Sequence, residues 1–156
     1  MMIAELEPVP YASGMMKLVV RNAGPTVARD VKVVFDPPIE APDTSESVVP
    51  YLVRRYSKPI PTVAPGTRFE NTYYIGRPQE GGLVNIEPTP DQVTVHISSM
   101  APDGRRYNEE FPLDVHFIEQ STCTESSADP AVIAKNLRDS VKKISTTLER
   151  WRTESA

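Results

Sequence analysis

Sixteen prolines in 156 residues, set against only seven glycines, constrain the fold of this chain more than any other feature of its sequence. Proline fixes φ at about −65° and removes a backbone donor, so it is excluded from the interior of long helices and of central strands. A chain punctuated this often is expected to form many short strands joined by stiff loops, and scattered Val, Ile, Tyr and Thr supply residues suited to them. The last proline is Pro130, and no glycine follows it. The sequence therefore divides into a body expected to be all-β and a tail that is free to be helical.

At 39% apolar residues the chain is long enough to bury a core without disulfides or metal and too apolar to be disordered. The single cysteine, Cys123, excludes an internal disulfide framework and every multi-cysteine zinc pattern, and leans toward a reducing compartment. No apolar run reaches the roughly 18 residues of a membrane helix. The opening Met1-Met2-Ile3-Ala4-Glu5 lacks the basic and apolar regions of a signal peptide. As given, the chain reads as soluble, with the compartment left open.

The expected organisation is a β-sandwich over residues 1–119, a linker over 120–129 and an amphipathic helix over 130–153. The linker, Gln-Ser-Thr-Cys-Thr-Glu-Ser-Ser-Ala-Asp, is small and polar. Residues 1–129 hold 11 basic and 18 acidic side chains, a net of −7, whereas residues 130–156 hold 6 and 3, a net of +3. An acidic body thus carries a basic tail. Within the body, Met16, Leu18 and Val20 alternate with Lys17, Val19 and Arg21 before Asn22-Ala23-Gly24-Pro25 breaks the strand. Val31, Val33 and Phe35 then share one face of the next. Further strands are expected at Ser47–Tyr56, Thr67–Ile75, Gln92–Met100 and Arg106–Ile118, with an edge strand near Ile3–Val9, about seven in all.

The last hairpin has a register that the sequence itself can choose. A three-residue Pro102-Asp103-Gly104 loop, with glycine left-handed, pairs Ala101 with Arg105 and sets Val95 opposite Phe111 and Val93 opposite Leu113. A two-residue Asp-Gly loop would pair His96 with Phe111 and mix the two faces. The longer loop is therefore expected.

The run Lys17-Leu18-Val19-Val20-Arg21-Asn22-Ala23-Gly24-Pro25-Thr26-Val27-Ala28-Arg29-Asp30-Val31-Lys32-Val33 resembles the strand-turn-strand signature of bacterial immunoglobulin-like repeats of the cell-adhesion-related type. Val63-Ala64-Pro65-Gly66-Thr67 is similar to the later proline-glycine turn of such domains, and the resemblance spans about Lys17 to Phe117. It implies an immunoglobulin-like sandwich that acts as a spacer or interaction module. The residues agree with it. Asn22 can bond local backbone, Gly24 can adopt a left-handed conformation, and Ala28 is small enough to sit beneath the corner. The segment Asp36 to Lys58 departs from the pattern in being longer and richer in proline.

Chemistry-bearing constellations are not found in the sequence. His96 and His116 fall on the outward phase of neighbouring strands, with His96 opposite Glu110 and no cysteine or histidine facing either. A metal site needs three or four convergent ligands, and a triad needs a nucleophile with an oriented base. The carboxylates are dispersed, and no phosphate loop, nucleophile elbow or calcium spacing occurs. The expectation is a non-enzymatic protein with no metal and no cofactor.

Two stretches point to partners. Tyr51, Arg54, Arg55, Tyr56 and Lys58 form the one interleaving of basic and aromatic residues, a candidate partner patch expected to lie on a strand, with an ordinary solvated strand as the plainer reading. The acidic body argues against a nucleic-acid partner. In the tail, Asp129 can cap a helix that Pro130 opens. Ala134, Leu137, Val141, Ile144, Leu148 and Trp151 are spaced three, four, three, four, three, a coiled-coil seam with basic residues outside it. That stripe can be buried against its own sandwich, against the helix of a second copy, or, as a third choice, against a membrane surface or foreign partner. The sequence thus leads to a non-catalytic interaction or structural module that docks or self-associates. A surface or envelope adhesion domain cut from a membrane-attached protein is the alternative.

Overall fold

The computed structural model of the chain describes residues 1–10, 12, 14–44, 46–119 and 130–154. Two compact units make up the chain, Met1–Ser121 and Thr122–Ala156. The first is built from two four-stranded antiparallel sheets. One contains β1 (Met2–Pro8), β2 (Met15–Asn22), β5 (Arg68–Gln79) and β6 (Gly82–Asn85), in that order. The other runs β4 (Ile60–Val63), β3 (Ala28–Asp36), β7 (Gln92–Met100) and β8 (Arg106–Asp114). Two short helices complete the unit, α1 (Val49–Tyr56) and α2 (Val115–Glu119).

The strands follow from alternation. Met16, Leu18 and Val20 on β2 are buried, as are Val31 and Val33 on β3 and Val93, Val95 and Ile97 on β7, and all join one core with Met2 of β1 and Tyr73 of β5. Each such large side chain contributes about 1.5–3 kcal/mol when fully buried. Along β3 the period slips between Ala28 and Val31, because the register against β7 shifts between Arg29 and Lys32 and Asp30 turns to φ 46°.

On the solvent face of the first sheet, charges of opposite sign stand side by side. Arg21 Nε bonds Glu5 at 2.7 Å, Lys17 Nζ bonds Glu70 at 3.0 Å, and Arg68 joins Glu7 and Glu70. Glu7 and then Glu70 hold the Arg68 guanidinium more firmly protonated than usual, and Lys17 and then Arg68 pull the Glu70 carboxyl below its ordinary range. The long stems of these residues shield Val19, which is fully buried although it alternates out of phase with Leu18 and Val20.

The corner after β2 is closed by Asn22. Its amide donates to Thr26 O at 2.8 Å and Val63 O at 3.0 Å, while its Oδ1 accepts the Gly24 N–H at 3.0 Å. Its backbone bonds both Gly66 and Thr67, so one buried residue ties the β2–β3 corner to the β4–β5 turn. Gly24 is needed for a different reason from the one expected. It is not among the residues with positive φ; instead, a Cβ there would lie 2.4 Å from the Met1 nitrogen. Close approach of backbone, and not left-handed geometry, demands glycine at that position.

The β7–β8 hairpin has the expected register: Val95 pairs with Phe111, Val93 with Leu113 and His96 with Glu110. Ala101 N–H bonds Arg105 O at 2.8 Å across the three-residue loop, and Gly104 sits at φ 84°. Arg105 bonds Asp103 from both backbone and side chain and draws its carboxyl below the usual range.

Two expected strands are corrected. Ser47–Tyr56 is not a strand: its residues from Val49 onward form α1, which opens on Pro50 and buries Val49, Leu52 and Tyr56. Their spacing of three and four is helical, and burial on one stripe outweighs the β-propensity of Val and Tyr. Arg106–Ile118 ends as a strand at Asp114, whose Oδ1 accepts the His116 N–H at 2.8 Å and starts α2. Strands β4 and β6, four residues each, were not expected, and eight strands are present among the described residues. The second unit contributes α3 (Pro130–Glu154), opened by Pro130 as expected. The expected linker and its capping Asp129, together with Cys123, lie outside the described residues.

Candidate interaction surfaces

Helix α1 carries the basic and aromatic stretch, and its position is set from a distance. Val48, at the N-cap, offers no side-chain cap. The role passes to Glu87, a buried carboxylate on the loop after β6: Ser47 Oγ donates to it at 2.6 Å and Val48 N–H at 3.4 Å, while Val49 N–H donates to Ser47 Oγ at 3.1 Å. A negative group at the start of a helix satisfies free amides and complements the dipole. Glu87 is in turn held by Asn85, whose Oδ1 accepts the Glu87 N–H at 3.1 Å and whose amide bonds Thr89.

Helical geometry rearranges the candidate patch. A strand would have split Tyr51 and Arg55 from Arg54; on α1, Tyr51, Arg54 and Arg55 stand at i, i+3 and i+4 and are all exposed, Tyr51 to 66%. Lys58, also exposed, follows directly after the C-cap Ser57. Tyr56 leaves the patch for the core, where its ring meets Phe35 edge-on at 5.8 Å and burial pushes its hydroxyl well above the usual range. The Arg55 guanidinium rests 5.5 Å from the Phe69 ring centroid. Spacing Val49, Leu52, Val53 and Tyr56 at i, i+3, i+4 and i+7, with Pro50 beside the first, was the signal in the sequence that a helix, and hence this patch, was present.

On α3, Ala134, Leu137, Val141 and Ile144 are exposed, with Leu137 at 65% and Ile144 at 60%, and Leu148 and Trp151 follow on the same helix. Thr146 and Thr147 donate their hydroxyls back to Lys142 O and Lys143 O at 3.0 and 2.9 Å, so their polar atoms are satisfied within the helix.

Other polar groups come together without forming a comparable surface. His96 Nδ1 lies 3.4 Å from Glu110 in the expected cross-strand pair, and His116, on α2 instead of a strand, lies 3.4 Å from Asp91. A cleft of about 450 Å³ passes Asn85, Glu87 and Asp91. Two of its lining residues are tied to the buried Tyr73, with Thr89 Oγ1 donating to Tyr73 O at 2.5 Å and the Tyr73 hydroxyl to Pro90 O at 2.6 Å. Among the described residues no group of three histidines, cysteines or carboxylates is placed to hold a metal ion, and no helix is long and apolar enough to cross a membrane.

No curated protein and no solved structure matches the chain. One family model does, over residues 1–119, a span that ends with α2 and takes in both sheets and the basic helix. The chain belongs to the family described as Domain of unknown function (DUF8453).

Proposed function

We propose that the chain is a non-catalytic interaction module: an immunoglobulin-like sandwich that carries an association helix and pairs with a second copy of itself through that helix. Two four-stranded antiparallel sheets around one core, with the corner at Asn22 closed by its own side chain, support the sandwich reading. The observation that carries the function is the apolar seam of α3, exposed at Ala134, Leu137, Val141 and Ile144.

A seam with the three-four period suits a helix of the same period, and an identical helix supplies one. The flanks allow like to meet like. Ser140, Ser145 and Thr147 border the seam as neutral residues beside Arg138 and Arg152, and Lys135, Lys142, Lys143 and Arg150 fall outside its border, so that four of the six basic residues stay away from the contact. Under three heptads is short for a helix pair, which makes the association reversible and concentration-dependent.

Light scattering on the full chain and on a Leu137→Ser/Ile144→Ser/Leu148→Ser variant tests the reading. The parent should run as a dimer at high concentration and the variant as a monomer, with helical circular dichroism reduced. A parent that stays monomeric at every concentration, or a variant that retains the parent's mass, refutes self-association through the seam.

A further inference from the structure

We propose that the outward face of α1 is a docking site for a short acidic polypeptide segment of another protein. Tyr51, Arg54, Arg55 and Lys58 gather three cations and one aromatic ring on an exposed surface. None of the three cations has an ion-pair partner among the described residues, whereas Lys17, Arg21 and Arg68 on the solvent face of β2 and β5 are each matched to a glutamate. Arginines in a last helical turn complement the helix dipole, which accounts for Arg54 and Arg55 in part. It does not account for an aromatic side chain left 66% exposed beside them.

The choice of occupant follows from charge and size. Two of the three cations are arginines, whose planar forks match carboxylates with two parallel hydrogen bonds. Arg55 is already steadied against Phe69, so less freedom is lost when a partner arrives. Eight helical residues span about 12 Å, the reach of three or four extended residues of a partner. The surrounding body is acidic, with a net of −7 over residues 1–129, and an extended polyanion such as a membrane face or a nucleic-acid strand would have to lie across that charge. A short acidic segment meets the cations alone, and an apolar residue within it can cover Tyr51.

The test is fluorescence anisotropy of a fluorescein-labelled peptide of eight glutamates titrated with the full chain at low salt. Saturable binding that weakens as salt is raised is expected. Arg54→Gln/Arg55→Gln/Lys58→Gln should weaken it about tenfold. Arg29→Gln/Lys32→Gln, which removes cations elsewhere on the same body, should leave it unchanged. A reversed variant, Arg54→Glu/Lys58→Glu, should lose the glutamate peptide and gain a peptide of eight lysines, which a misfolded chain would not do. Absence of saturable binding, or equal weakening in the two glutamine variants, overturns the proposal. So does tighter α1-dependent binding of phosphatidylserine vesicles or of single-stranded DNA.

Discussion

Replacing Asn22 is the most searching perturbation of the body, because its side chain is buried and makes three hydrogen bonds to three separate backbone groups. Asn22→Ala removes all three, and the cost differs at each end. Val63 O is left buried, a loss of about 1–3 kcal/mol for an unmatched polar group. Thr26, which is exposed, can turn its carbonyl to solvent, and Gly24 N–H keeps Met1 O at 3.2 Å, so these two bonds cost about 0.5–1.5 kcal/mol each. The sum is about 4 kcal/mol, or on the order of 10–15 °C in melting temperature. Asn22→Asp sharpens the test. The carboxylate keeps an acceptor for Gly24 but turns a second oxygen on two carbonyls where the amide had donated, so at neutral pH it should be at least as damaging as alanine. Burial and those carbonyls raise the folded-state pKa of such an aspartate above its unfolded value. Its extra penalty is therefore absent below the unfolded pKa, grows as pH rises through the folded pKa, and is then constant. Urea denaturation of the parent and both variants at acidic and neutral pH measures this. An Asn22→Asp protein as stable as the parent at neutral pH would refute the donor role assigned to the amide.

Two further outcomes follow from close contacts. Gly24→Val should cost about 1–3 kcal/mol, since its Cβ would lie 2.4 Å from the Met1 nitrogen, while Lys32→Gln on the exposed side of β3 should leave the thermal melt unmoved. Glu87→Ala should lower urea stability by about 1.5–3 kcal/mol through the two donors it abandons at the start of α1, and Glu87→Gln should recover part of that loss.

What could be read from the sequence depended on whether one local rule decided the outcome. The β7–β8 register was legible because Pro102-Asp103-Gly104 and two alternating apolar sets all select the same pairing. The Asn22 corner was legible because asparagine bonds its own neighbourhood, although its reach to Val63 was not, since that contact depends on the tertiary fold. Helix α1 was misread because Val, Leu and Tyr satisfy a strand template as easily as a helical one over eight residues, and only burial of Val49, Leu52 and Tyr56 together decides between them. Its cap was invisible for the same reason, as Glu87 lies far along the chain from Ser47. Of the basic and aromatic stretch, Tyr56 turns into the core, and that Tyr51, Arg54 and Arg55 share an exposed face required the helix.

The arrangement of the first sheet also bears on how fast the body can form. Strand β2 pairs on one side with β1, its neighbour in the chain, and on the other with β5, where Arg21 meets Arg68 and Met15 meets Ile75. The first pairing closes a short loop and can assemble early. The second closes a long loop that contains β3, α1 and β4, two of which pair in the other sheet, and its entropic expense falls due before its own contacts reward it. Asn22 stands at that junction, bonded both to the local corner and to the turn ahead of β5, so it is among the last side chains to find all its partners. Strand order therefore predicts slow refolding with a late-forming junction at Asn22, and a chain synthesised from its N-terminus exposes one edge of β2 until β5 has emerged.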